Sequence, residues 1–302
     1  MSTALVGIDE LADALDSPHR PVVLDVRWDL GGGPDRAGFA AGHVPTSRFL
    51  DLEEVLTGPA GPDGAGGRHP LPDPARVRTW LGEQGIDPEH PVIVLDGGHG
   101  AGAARAWWVL RDAGLQDVRV LDGGLAAWTE AGHPVETGQT GQTGQSARPG
   151  SPSSDAPSRA PDGHRLPTRD AADLLAGPRA GEVLLDARPA ARYRGEDLGP
   201  DPVGGHIPGA TNLPVASLYD GGRLREVEEV RQRFAEAGVE QDTDVVLSCG
   251  SGITACQLAL AHAVAFPEAD EPVLYPGSFS DWISDPSRPL ATGAAPGAMP
   301  PG

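Results

Sequence analysis

Apolar residues along this chain fall into short, unbroken, largely β-branched runs. They read VVLDV from Val22, VIVLD from Val92 and VRVLD from Val118, then VLLDA from Val183, VVLSC from Val245 and VLYP from Val273. Each is too short for a helix and lacks a helical period, so each predicts a buried strand. Between them lie longer stretches of helical composition, such as PARVRTWLGEQG from Pro74 and EVEEVRQRFAEAG from Glu226. Strands alternating with helices predict an α/β protein whose mainly parallel sheets carry helices on both faces.

The pattern occurs twice. PVVLDVRW followed by AGHVPTSRFL in the first half answers to EVLLDARP followed by GGHIPGATNL in the second. Asp25 matches Asp186, His43 matches His206, Asp96 matches Cys249 and Trp128 matches Trp282, at separations of 153 to 163 residues. A near-constant offset over four blocks marks an internal duplication. The expected layout is an N-terminal domain over 1–133, a flexible linker over 134–163 and a C-terminal domain over 164–302. The linker carries a small GQT repeat and, after Val135, no large apolar residue. The chain after about 290, ending ATGAAPGAMPPG, is expected to fray.

Charge narrows the partners. Lys+Arg 23 against Asp+Glu 43 leaves a net charge of −20. That opposes binding to nucleic acid or to an anionic membrane surface. No apolar run approaches the roughly 18 residues of a membrane span. The first residues, MSTALVGIDELADAL, lack the basic region of a signal peptide. The two cysteines, Cys249 and Cys256, lie seven positions apart in sequence. On one helix they would be separated by about 10 Å, too far for a disulfide. A cytoplasmic location is expected.

Of the two cysteines, Cys249 stands where chemistry is expected. It ends a predicted strand, and Gly250-Ser251-Gly252 then leads to an Ala/Leu-rich helix from Thr254. Ligands of open α/β sheets bind at such strand ends. Successive loop amides and the helix dipole favour an anion there. A thiol in that cradle should ionise readily and act as a nucleophile. Cys256 falls inside the helix among Ala and Leu, where an inert buried thiol is expected. A phosphatase also uses a loop cysteine, but it needs an arginine closing the loop, and none follows before Arg288.

With the duplication, the D-x-R pairs, GHIPGA and the six-residue Cys loop, the chain resembles the tandem rhodanese-type sulfurtransferases. Cys249-Gly250-Ser251-Gly252-Ile253-Thr254 is similar to the CGSGxT signature of the 3-mercaptopyruvate sulfurtransferases. The resemblance implies two rhodanese-like domains and sulfur transfer from 3-mercaptopyruvate to a thiol or cyanide through a persulfide on Cys249. It implies no cofactor and no metal, a small-molecule sulfur donor, and an acceptor such as thioredoxin. Thiosulfate remains an alternative donor, and a non-catalytic binding or redox-sensing module an alternative class.

The same resemblance assigns the donor's carboxylate to Arg192 and to the loop residues Gly250, Gly252, Ile253 and Thr254. A second arginine often found before GHIPG is absent, with Val203 near its place. Arg194 is expected to face solvent, and Arg188 to pair with Asp186. A serine–histidine–acid relay of this branch would use Ser251, His69 of R-H-P-L-P, and Asp51 or Glu53, with Arg68 adding positive charge. Asp96 occupies the cysteine position of the first domain, which is therefore expected to be catalytically silent.

Overall fold

The computed structural model describes residues 4–138 and 163–299. The N-terminal half builds one sheet from β1 (Leu5–Val6), β2 (Val22–Asp25), β3 (Arg48–Phe49), β4 (Val92–Leu95) and β5 (Val118–Leu121). Their order is β1-β5-β4-β2-β3, and every pairing is parallel. The C-terminal half repeats the scheme with β6 (Glu182–Asp186), β7 (Ala210–Asn212), β8 (Asp244–Ser248) and β9 (Val273–Leu274), ordered β9-β8-β6-β7 and again all parallel. In place of β1 there is a single parallel bridge from Thr168 to Leu274. All six apolar runs of the sequence are strands. Their continuous hydrophobicity follows from burial on both faces, as at Val92–Leu95.

The helices that matter for the site are α1 (Pro74–Glu83), α2 (Ala101–Ala113), α3 (Val227–Glu236) and α4 (Thr254–Ala265). Asp73 caps α1 through the Ala75 amide, with Pro74 preset for the first turn. The helices α2 and α4 follow the matched loops at Asp96 and Cys249, and they pack against each other across the domain boundary. Both are apolar nearly all round because both are enclosed. One core therefore runs from Leu24, Val94 and Trp107 to Leu185, Leu247 and Ile253. That shared core sets the two halves face to face.

Two boundaries differ from expectation. Pro134–Glu136 are not linker: Glu136 and His43 exchange backbone hydrogen bonds of 2.9 Å, and Pro134 O accepts from Trp128 Nε1. The GQT repeat and the rest of the expected linker, 139–162, lie outside the described residues. The chain beyond 290 is likewise tied down as far as 299. Ala291 bridges His206, Pro296 O accepts from Gly209 N at 2.7 Å, and Met299 packs on the Trp282 cluster. The cause is the same in both halves. The histidine of each GH[V/I]P segment is fully buried and leaves a backbone donor and acceptor to satisfy, which a returning segment supplies through a single antiparallel bridge.

Candidate functional site

Cys249 follows β8 directly, and the loop 249–254 turns into α4. Gly252 makes the turn at φ +78, and a Cβ there would lie 2.2 Å from Pro276 O, so no other residue fits. The thiol is 1% exposed. Its Sγ accepts from Gly252 N at 3.0 Å and lies 3.8 Å from Ser278 Oγ, which itself accepts from Cys249 N at 3.0 Å. The amides of Ser251, Ile253 and Thr254 find no protein acceptor among the described residues, which leaves them available to an anion.

Two guanidinium groups lie over this loop. A Cβ at Gly250 would stand 3.3 Å from a terminal nitrogen of both Arg192 and Arg68, so the missing side chain lets them approach. Arg192 comes from the C-terminal domain and Arg68 from the N-terminal one. Both are held by Asp201, whose side chain is 1% exposed. Its Oδ1 pairs with Arg68 and its Oδ2 with Arg192, each at 2.5 Å. Asp201 was invisible in the sequence, standing in a proline- and glycine-rich loop with no motif around it. Arg188 instead pairs in bidentate fashion with Asp186 and stacks on Phe279, repeating Arg27 with Asp25 in the first half. Arg194 pairs with Glu196 at the surface, and Val203 is exposed.

The structure brings His69 and Ser251 together across the domain boundary, with Nδ1 2.9 Å from Oγ. Burial, aided by Arg105 and Arg68, pushes the imidazole down to about 4, so it is neutral and its Nδ1 can accept a hydrogen bond from the Ser251 hydroxyl. Neither expected acid completes a relay. Asp51 caps the short helix Leu52–Val55 and pairs with Arg36, while Glu53 accepts from Trp28 Nε1. A capping carboxylate is committed to two backbone amides and cannot turn toward His69. The imidazole is oriented by the edge of Trp28 at 5.3 Å.

Arg105 also went unread in the sequence. It is fully buried on α2, where an arginine is ordinarily exposed. It donates to the carbonyls of Leu56, His69, Pro70 and Gly252. One side chain thus fixes both the segment carrying His69 and the loop carrying Cys249. Cys256 sits beneath, fully buried, with its thiol on Gly252 O and pushed up to about 12 by desolvation.

The matched loop of the first half takes a different backbone path, with Gly98 at φ +125 and Gly100 at φ +76 where the Cys249 loop turns left-handed only at Gly252, and it has a different occupant. The Asp96 carboxylate accepts from the amides of Gly98, Gly100, Gly102 and Ala103 at 2.9 to 3.4 Å. Its outer side is covered by the second domain. Gln257 Nε2 donates to His99 O, and Gly222 packs so closely on Gly98 O that a Cβ could not be inserted.

Comparison with known proteins agrees with this arrangement. The family model described as a rhodanese-like domain matches twice, over 8–131 and 170–285. A Pseudomonas aeruginosa protein named as a 3-mercaptopyruvate sulfurtransferase is 42% identical over 298 residues, covering 97% of this chain and 99% of its own. SseB of Mycobacterium tuberculosis, which carries a thiosulfate sulfurtransferase name, is 38% identical over 292 residues, covering 96% and 98%. The crystal structure of the Escherichia coli 3-mercaptopyruvate enzyme SseA matches with a TM-score of 0.72 at 31% identity, over 92% of this chain and 100% of that one. Two matched domains, the duplicated sheets and the Cys249 loop together make this chain a tandem-domain member of the rhodanese family.

Proposed function

We propose that the protein is a sulfurtransferase taking sulfur from 3-mercaptopyruvate. The Cys249 thiolate attacks the thiol sulfur of the donor, and the C–S bond breaks with its electron pair passing to the pyruvate enolate. The sulfur stays on Cys249 as a persulfide, whose S–H proton balances the enolate as it becomes pyruvate. An acceptor thiolate, from a protein such as thioredoxin or a small thiol, or cyanide then takes the outer sulfur and releases the Cys249 thiolate. The loop amides and the Gly252 N–H hold the anionic sulfur throughout. Ser251 and neutral His69 stand ready to relay the proton to the leaving enolate. No step requires a cofactor or metal.

The observation that carries this reading is the buried Cys249 sulfur on its loop amide, beneath two arginines and beside a Ser–His pair. The relatives named for the two donors leave thiosulfate as the second reading. Against it stand the uncharged Gly250 and Ser251, which put no positive side chain on the loop itself. Both cysteines are free, and no described helix is long and apolar enough to cross a membrane, in keeping with a reducing cytoplasm. The test is a donor panel, mercaptopyruvate against thiosulfate, with steady-state rates and the persulfide detected by intact mass. A higher kcat/KM for thiosulfate would overturn the donor and leave the persulfide chemistry standing.

A further inference from the structure

Asp201 has no counterpart in the chemistry just described. It reacts with nothing, yet it is a buried carboxylate at the mouth of the loop, bonded to both arginines that an anionic donor would meet. Arg188 comes only within 4.0 Å of it and is already neutralised by Asp186. His69 is uncharged at neutral pH. Arg68 and Arg192 therefore share the one negative charge of Asp201, while Arg105, buried behind the loop on Gly252 O, faces the Cys249 thiolate, so the mouth itself presents a single surplus positive charge to the incoming donor.

We propose that Asp201 is a specificity-determining residue that sets donor charge, admitting a monoanion and disfavouring a dianion. A donor with one carboxylate meets one uncompensated positive charge. Thiosulfate brings two negative charges toward a site that already holds Asp201 and the Cys249 thiolate, and one of them is left facing a carboxylate. A second negative charge brought beside the buried Asp201 carboxylate is repelled by enough to change affinity by about tenfold or more. The same residue prearranges the cleft. By joining Arg68 of one domain to Arg192 of the other, it holds both forks over Gly250 before the donor arrives.

The inference rests on the sulfur-transfer reading and is tested separately from it. Thiosulfate and methanethiosulfonate both deliver a sulfane sulfur from a sulfonyl sulfur, releasing sulfite or methanesulfinate, and differ by one unit of charge. Steady-state kcat/KM for the two, with cyanide as acceptor, is measured on the wild type, Asp201→Asn and Arg68→Gln. Removing the Asp201 charge should raise the thiosulfate-to-thiosulfonate ratio about tenfold, and removing the Arg68 charge should lower it by a similar factor. A ratio unmoved by either substitution, or both donors falling in parallel, would overturn the assignment. If Asp201→Asn does not fold, Asp201→Ser, which removes the same charge, carries the same measurement, and a ratio it leaves unmoved overturns the assignment. Absence of a Cys249 persulfide from every donor in the wild type would overturn the sulfur-transfer reading and the charge assignment with it.

Discussion

The loops after β4 and β8 stand at matched positions of the two halves and are put to two uses. After β4, Asp96 turns its carboxylate inward and occupies four amides of its own loop. After β8, Cys249 offers a sulfur that takes one loop amide and leaves others open. The Asp96 carboxylate already fills its loop, whereas Cys249 leaves amides open to an incoming anion. The surroundings differ to match. The first loop is sealed under Gly222 and Gln257, and the second is faced by Arg68, Arg192 and the His69–Ser251 pair. An anion cradle becomes an active site only where its amides are unspent and its mouth is charged.

Cys249→Ser tests this contrast most severely. Sulfur transfer should be lost altogether, with circular dichroism unchanged, because a hydroxyl cannot hold sulfane sulfur. Turnover in that variant would refute the persulfide. His69→Ala comes next, with kcat for mercaptopyruvate expected to fall about a hundredfold while persulfide formation from thiosulfate, whose leaving group needs no proton, falls much less. The pH profile carries a second check. The folded His69 titrates near 4, below its ordinary 6.5, so it is already neutral above that range. Its contribution to activity should be complete by pH 6 and lost only as pH falls toward 4. Between those limits the unfolded chain binds a proton that the folded one does not, so stability also declines as pH falls.

Arg192→Ala should raise the mercaptopyruvate KM about tenfold to a hundredfold, the loss of one charge-assisted hydrogen bond. Asp96→Cys asks whether a thiol alone makes the first loop active. It should gain no transferase activity, measured in a Cys249→Ser background, because Gly222 covers the loop. It should cost about 2 kcal/mol of stability as four amides lose their carboxylate, read from the denaturation midpoint. The smallest effect belongs to Cys256→Ser. The thiol is held near 12 in a closed core, so activity should stay within a few-fold of wild type, and a larger loss without unfolding would implicate a second sulfur.

What the sequence determined by itself was everything encoded over short distances. Strand runs, the start of α4 at Thr254, the glycine turn at Gly252 and the internal repeat all rest on local backbone preferences, which neighbouring residues fix. Cys249 was legible for the same reason, lying between a strand and a helix. Only the tertiary structure decided what meets that cysteine. Arg68 reaches Asp201 across 133 positions, His69 reaches Ser251 across 182 and Arg105 reaches Gly252 across 147. The family resemblance offered Asp51 or Glu53 as the acid of a relay, but local capping and pairing claim both. The tail beyond 290 looked disposable because its composition is that of a loose end, yet a buried histidine 85 residues earlier requires its backbone. Such pairings depend on how two domains close over a common core, and no periodicity or spacing along the chain records that closure.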